Sequence, residues 1–419
     1  SRWRMGQERC GTDDEQDEPA DGQRRVRWTS HGRPDVRPAE LAEGRSPNEV
    51  RTTRFTPLSW LPKSLFYQFQ RVANVYFLLI SVLVCIPSVT TKSWKSKVLP
   101  FAGVLLWTAL KDLYEDSNRR RDDRAENERP CHVYSWPRGA LELVPWKACG
   151  VGDLVAVHKD EPFPVDMVVL SSSDSLGTCF ISTVSLDGET NLKEKRALPA
   201  TQAASSSALG RGAEEAAGLL RAAEVEVLME APNPNLGEAS GSVAWPGGRC
   251  GAGLDSFLPR GCVLKNTAWV LGMSVYVGPE TKLRLNAAEA PTKVSDMQRL
   301  LSLSVVGLLC GLFALCLAFA LAGRAAGVDR GMFVSFLRYV VTLYHVVPIS
   351  LYVMFELLKL ILARHVGTDP LLVDPETGRH AEARTSDLVE EMGQVGFVFS
   401  DKTGTLTSNE MRFAYAFAG

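Results

Sequence analysis

At 419 residues and a formal net charge of −2, the chain is too long for a single hydrophobic core and too nearly neutral to suggest a nucleic-acid partner. Its nine cysteines, scattered from Cys10 to Cys316, form no C-x-x-C pair. That argues against a zinc site or disulfide framework and for a reducing cytosol around the soluble parts.

Residues 1–47 are charged, poor in large apolar side chains and without a signal-peptide pattern, which predicts a disordered tail. Residues 48–71 lead from it, as a cytosolic segment, into the first of four apolar stretches: Val72–Val89, Val98–Leu113, Leu300–Leu321 and Met332–Ala363. A span needs about 20 residues to cross a hydrocarbon core of about 30 Å. Leu300–Leu321, which contains no charge, fits a spanning helix best; the first two are short and read as a membrane hairpin. Four spans are therefore expected, over 72–113 and 298–363. Lys63, Arg71, Lys111, Arg119–Arg121, Arg299 and Arg364 flank them on one side, which places the N-terminus and the middle of the chain in the cytosol. Lys92, Lys95 and Lys97 pull weakly the other way.

Residues 114–297 are too many for a loop and predict a domain. Apolar or alternating runs at Val151–Val157, Met167–Leu170 and Trp269–Val277, punctuated by Asp, Gly and Pro, make it mainly β. About residues 200–223, rich in Ala, Ser, Gly and Glu, the pattern suggests a surface insertion. Residues 364–419 return to polar sequence and include a buried-strand pattern, Val395–Phe399, followed at once by Ser400, Asp401, Lys402, Thr403, Gly404 and Thr405.

An apolar strand running into a carboxylate and a glycine loop is the layout of an α/β ligand site. Asp401 could attack a phosphoryl group and hold it as an acyl phosphate, with Lys402, Thr403, Gly404 and Thr405 supplying charge, hydroxyl and backbone donors to its oxygens. The plain alternative is an Asp that caps a turn. In the middle domain, Ser185–Lys193 reads SLDGETNLK and displays Glu189 beside an Asp-Gly turn. A carboxylate there could orient or deprotonate a water; an ordinary exposed turn is the alternative. In the fourth stretch Pro348 removes a backbone N–H and should free the carbonyl of Tyr344, opening the helix. Pro348, Ile349, Ser350 and Leu351 carry no carboxylate, and the next acid is Glu356, placed either to pair with Lys359 or to mark the end of the span.

These motifs resemble those of the type IV P-type ATPases, the phospholipid flippases. FSDKTGTLT, Phe399–Thr407, is similar to the phosphorylation motif of all P-type ATPases, with Thr403 where related aspartate phosphatases carry a second acid. The loop Asp187, Gly188, Glu189, Thr190 resembles the dephosphorylation loop of the actuator domain in its flippase form, DGET rather than the TGES of ion pumps. Pro348–Leu351 resembles the flippase PISL, in which the Ile gates a lipid path. Further likeness runs from Arg51 to Phe413, through Pro162–Asp174, Arg260–Thr267 and Gly278–Lys282. Val165, Glu280, Thr183 and Val184 depart from the usual residues.

The resemblance implies a multi-domain membrane protein. It would have an α-helical transmembrane bundle, a mainly β cytosolic actuator domain and the start of an α/β phosphorylation domain of haloacid-dehalogenase-like, Rossmann type. It implies ATP-driven movement of phospholipid from the outer or lumenal to the cytosolic leaflet, through an aspartyl phosphate on Asp401 whose hydrolysis Glu189 promotes. It also implies Mg²⁺ at Asp401 and Thr403, an accessory two-span β-subunit, and residence in the plasma membrane, Golgi or endosomes. Two alternatives stay open: a cation-transporting P-type ATPase, which the neutral site beside Pro348 disfavours, and a non-catalytic fragment. Without the nucleotide-binding domain, the sequence as given is expected to be inactive alone.

Overall fold

The computed structural model describes residues 24–28, 34–37, 48–87, 89–90, 93–189, 191–208, 210–222, 225–245, 248–287, 294–327, 331–375, 377–383, 385–386, 388–407 and 413–417. The chain divides into two compact units, one made of 1–51, 122–289 and 399–419, the other of 52–121 and 290–398.

The first unit is built on antiparallel sheets. Its largest has six strands in the order Phe257–Leu258, Asp166–Ser172, Trp269–Tyr276, Leu154–His158, Pro130–Ser135, Ala140–Pro145. The three apolar runs of the sequence supply its three central strands. Asp166–Ser172 and Trp269–Tyr276 are buried at every position, so they lie covered on both faces and read as continuous apolar runs instead of strict alternation. Gly272 is needed where these two strands meet at a bulge: a Cβ there would stand 2.8 Å from the Val168 carbonyl and against the Met167 side chain. A three-stranded sheet, Val263–Lys265, Thr178–Ser182, Lys193–Arg196, carries the loop with Glu189.

Two expectations are corrected here. Residues 1–47 are not all tail: Arg24–Trp28 and Pro34–Arg37 are strands of a five-stranded sheet, paired through Glu226–Met229 to Gly241–Trp245 and Gly248–Ala252. The guanidinium of Arg24 is buried, makes a fork to Glu280 at 2.7 and 2.9 Å, and donates to the Val275 carbonyl at 3.0 Å. A charged segment thus orders because its charge finds a partner. Nor is 200–223 a surface insertion. Helices Pro199–Ser205 and Ala213–Ala222 bury Ala213, Ala216, Ala217 and Leu220 in the main core. The Gln202 amide pairs with both the N–H and the carbonyl of Ser172, at 2.9 and 3.1 Å. Small residues let these helices lie close on the sheet, which made a packing face look like low-information sequence.

In the second unit, helices Trp60–Gln68 and Val72–Val84 meet at a bend of 100°. Among the described residues one helix, Asp296–Ala325, is long and apolar enough to cross a membrane; counting the bent pair as one span makes two. The remaining expected spans do not pass on length and composition. Val98–Leu113 lies within helix Lys95–Asn127, whose other residues are largely charged. Met332–Ala363 is two helices, Met332–Thr342 and Ile349–Thr368, split at Pro348. The first has only 11 residues, and the second contains Glu356, Lys359 and Arg364. Within the apolar window of Asp296–Ala325 only 22% of residues are buried, so this helix presents most of its apolar surface outward.

One buried carboxylate ties the first unit together. Asp166 accepts from the backbone N–H of Arg260 and of Lys282, both at 2.7 Å, and thereby joins the three segments Pro162–Asp174, Arg260–Thr267 and Gly278–Lys282. Burial pushes its carboxyl up to about 6, against the pull of the two backbone hydrogen bonds and the nearby cations. Because the folded value lies above the unfolded one of about 3.9, the folded state holds a proton that the unfolded state lacks between these values. This contribution is full below about pH 4 and is lost as pH rises through about 6. Asp166→Ala should lower unfolding free energy by about 2–4 kcal/mol, since it orphans two buried donors, and should flatten the decline between about pH 4 and 6. Urea unfolding across that range, followed by tryptophan fluorescence, measures both; wild-type stability in the variant would refute the assignment.

Candidate functional site

The Glu189 loop begins where strand Thr178–Ser182 ends. Thr183 leads into a single helical turn, Val184–Asp187, which Gly188 closes in the left-handed region at φ 71°. Only glycine adopts that conformation without a steric penalty, so the Asp-Gly pair ends the turn and swings Glu189 outward. The Thr183 hydroxyl lies 3.0 and 2.8 Å from the two carboxylate oxygens of Asp187, which also accepts the N–H of Glu189 at 2.9 Å. Lys193, on the neighbouring strand, forms an ion pair with Asp187. Ser185 donates to the Gly261 carbonyl at 2.9 Å and fastens the turn to Arg260–Thr267.

Electrostatics follow from this bracing. Partial burial works to raise the Asp187 carboxyl, but the Lys193 ammonium, the Glu189 N–H and the Thr183 hydroxyl together hold it below the usual range. Lys193 is correspondingly raised, chiefly by its hydrogen bond to Asp187. Asp187 therefore stays ionised and acts as the fixed base of the loop. Glu189 is the free member: about half exposed, with one carboxylate oxygen 3.7 Å from the Lys193 ammonium. Its side chain can reach a partner presented from outside. Thr190 lies outside the described residues.

Asp401 stands at the start of a single π-type turn, Lys402–Leu406, and accepts the Lys402 N–H at 2.7 Å. Thr407 closes the turn by donating its N–H to the Lys402 carbonyl at 3.2 Å. Asp401, Lys402 and Thr405 are exposed; for Thr403 and Gly404 only the backbone is described. The buried strand expected over Val395–Phe399 is not formed: these residues lie in no ladder, and Phe399 is 95% exposed. An apolar run makes a buried strand only beside sheet neighbours, and among the described residues none pairs with it.

In the second unit the helix break falls at Pro348, whose backbone is extended. The Tyr344 carbonyl, freed from the helical pattern, accepts the Val347 N–H at 3.4 Å and the Tyr76 hydroxyl at 3.3 Å. Leu351 is exposed, and only the backbone is described for Ile349 and Ser350. Glu356 does not turn to Lys359. It pairs with Arg71 at 2.7 Å and Lys111 at 3.3 Å, while Lys359 takes Glu390 at 3.2 Å. Side chains three apart on one helix pair only when nothing better faces them, and here neighbouring elements offer cations.

Ser185 and Lys193 lie in the motif run and Thr183 just before it, but the motif assigns none of them the bracing role they have here. Thr183 could have been found from its place four residues before Asp187, a spacing that lets a hydroxyl reach a carboxylate across one turn.

Known proteins similar in sequence to this chain are phospholipid-transporting ATPases. Residues 39–98 match the family described as phospholipid-translocating ATPase N-terminal. A phospholipid-transporting ATPase of Schizosaccharomyces pombe is 37% identical over 388 residues, covering 87% of this chain and 30% of the relative. Phospholipid-transporting ATPase ID of Homo sapiens is 36% identical over 387 residues, 87% of this chain and 31% of that protein. Phospholipid-transporting ATPase 1 of Arabidopsis thaliana is 33% identical over 407 residues, 88% and 33%. The chain thus spans about a third of the length of these curated relatives. It belongs to the type IV P-type ATPases, the phospholipid-transporting family of membrane proteins, and matches their N-terminal portion.

Proposed function

We propose that this chain supplies the phosphorylated aspartate, the actuator domain and the first four membrane spans of an ATP-driven phospholipid flippase. The observation that carries the reading is the run Asp401–Thr407 standing in one chain with the Glu189 loop and a proline-broken, acid-free helix start at Pro348.

In the first step a carboxylate oxygen of Asp401 attacks the γ-phosphorus of ATP, the bond to the β–γ bridging oxygen breaks, and ADP leaves with that electron pair. Asp401 suits the role because it is exposed and because Lys402 engages it through a backbone N–H, which leaves the lysine ammonium available to the incoming phosphate. The donors of Asp401 and Thr403 are hard oxygens, which fits Mg²⁺; bound there, the ion would neutralise charge on the transferring phosphoryl group. Residues 364–419 begin the α/β phosphorylation domain in this reading, and Val395–Phe399 becomes a strand when its sheet neighbours are present.

In the second step the Glu189 loop approaches the acyl phosphate. Glu189 takes a proton from a water, the water oxygen bonds to phosphorus, and the Asp401–phosphorus link breaks to release inorganic phosphate. The rigid Thr183–Asp187–Lys193 bracing moves the loop as one body and keeps the Glu189 carboxylate pointing outward. Movement of the actuator domain would then shift the spans, and a phospholipid would pass Pro348, Ile349, Ser350 and Leu351 towards the cytosolic leaflet. An uncharged path fits a zwitterionic or anionic headgroup better than a bare cation, which needs oxygen ligands absent from these four residues. A two-span β-subunit completes the assembly, in the plasma membrane, Golgi or endosomes.

Both steps can be tested on protein expressed from its full coding sequence. Asp401→Asn should abolish the acid-stable phosphoenzyme formed from γ-labelled ATP, and normal labelling would refute the role of Asp401. With Glu189→Gln, phosphoenzyme should form at the normal level but decay about 10²-fold or more slowly in a chase, as expected for loss of a general base. Unchanged decay would remove Glu189 from the second step.

A further inference from the structure

Away from the Glu189 loop, one edge of the six-stranded sheet gathers two histidines and a glutamate. His132 lies on strand Pro130–Ser135 and stands opposite Ala156 of strand Leu154–His158. His158 is two residues beyond Ala156, so both imidazoles project from the same face. Their ring centroids are 4.7 Å apart with planes at 75°. Glu161 follows in the tight turn that leaves the strand. Its N–H donates to the His158 carbonyl at 3.0 Å, and its carboxylate accepts the His158 N–H at 2.9 Å.

The turn is pinned from outside as well. Asp160 sits in the left-handed region at φ 67°, donates its N–H to the Leu264 carbonyl at 2.8 Å and forms an ion pair with Lys265 at 2.5 Å. Glu161 is therefore held in place before any ligand arrives, and its Oε2 lies 3.5 Å from His158 Nδ1. One donor atom from each of His132, His158 and Glu161 falls within 4.8 Å of the others.

A second observation points to a ligand. The Nδ1 atoms of His132 and His158 are both shielded from solvent, and neither has a hydrogen-bond partner among the described residues. Buried polar atoms are almost always satisfied, and unsatisfied nitrogens on two neighbouring imidazole rings call for a common partner. At 3.5 Å the Glu161 carboxylate is too far to satisfy His158 Nδ1 by a hydrogen bond, and His132 Nδ1 has no such neighbour among the described residues.

We infer that His132, His158 and Glu161 form a site for a divalent transition metal, Zn²⁺ by the character of its donors. Two imidazole nitrogens and one carboxylate oxygen are a known zinc set with a fourth position left open to water. Ligands about 2.0–2.2 Å from a tetrahedral ion stand roughly 3.4 Å from one another, which the His158–Glu161 spacing already meets and the His132 ring reaches by side-chain rotation. The ion would staple strand Pro130–Ser135 to the turn after His158. It cross-links the outer strand pair to the centre of the sheet without a cysteine.

The test uses the whole chain in detergent, stripped with a chelator and titrated with Co²⁺ as a coloured substitute and with Zn²⁺ in competition. The expected result is one equivalent of Co²⁺ with the strong visible bands of a tetrahedral site, bleached by Zn²⁺. Those bands should vanish in His132→Ala and His158→Ala. In Glu161→Gln, which preserves side-chain size, binding should weaken at least tenfold. His380→Ala should behave as wild type. Melting curves taken with chelator present establish that each variant is folded before metal is added. Absence of saturable Co²⁺ binding in the wild type overturns the proposal. So does a full Co²⁺ spectrum in a folded His132→Ala, His158→Ala double variant, which would place the ion elsewhere, for instance on cysteine.

Discussion

The first unit depends on a carboxylate that has no access to water. Asp166 sits fully buried between two backbone N–H groups that come from segments more than 90 residues away in sequence. Around it, Asn48 joins other distant segments in the same way. Its amide donates to the Trp146 and Pro164 carbonyls, and its oxygen accepts from Arg260 and from the Gly278 N–H. Arg260 then lies over the Trp146 ring at 5.4 Å. Each of these polar groups finds its partner in a different part of the chain, so no part can form the knot alone. Such networks rigidify a fold when complete and are costly when one member is missing. The knot also bears on the Glu189 loop, because Ser185 anchors that loop to Gly261, the residue after Arg260.

That knot explains which features were legible in the sequence and which were not. Val151–Val157, Met167–Leu170 and Trp269–Val277 announced themselves because buried strands are written in local apolar composition. Pro348 was legible because the loss of an N–H is a property of one residue. By contrast, Arg24 looked like part of a charged tail, and only Glu280 and the Val275 carbonyl, some 250 residues distant, make its burial possible. The helices of 199–222 looked featureless because alanine carries little pattern, although alanine is what allows a helix to lie against a sheet at close range. Val395–Phe399 erred in the opposite direction. Its local pattern is that of a strand, but ladder formation depends on neighbours that local pattern does not supply. For the candidate site, motif likeness pointed to Asp401 and to the run Ser185–Lys193 around Glu189, but the bracing roles of Thr183, Ser185 and Lys193 depend on contacts across space that no motif spells out.

The Glu189 loop divides two roles between acids two positions apart. Asp187 is saturated with partners and fixed in its ionised form, so it sets the shape of the loop. Among the described residues Glu189 keeps one weak, exposed ion pair, to Lys193, worth little in water and easily exchanged for a new partner. A carboxylate that must act on an outside group needs both properties nearby: a rigid base to set direction and a free head to respond. The left-handed Gly188 between them lets these two acids face such different surroundings. Replacing it by any residue with a Cβ would strain that hinge point.

A comparable division holds in the second unit. Helix Ile349–Thr368 starts afresh after the break at Pro348, so its rotation about its own axis is not inherited from Met332–Thr342. Something else must set it. Glu356, two turns in, is nearly buried and reaches Arg71 before helix Val72–Val84 and Lys111 on helix Lys95–Asn127. Lys359, one turn further, reaches Glu390, which also accepts the Ser295 hydroxyl at 2.6 Å, at the cap of helix Asp296–Ala325. A buried ion pair adds little net stability over an apolar one, but removing one partner strands a charge at a cost of about 3–5 kcal/mol. That asymmetry favours one rotation: in any other, the buried Glu356 and Lys359 of this helix would lose these partners. The helix can therefore be open at its Pro348 end and still be held in register from the other.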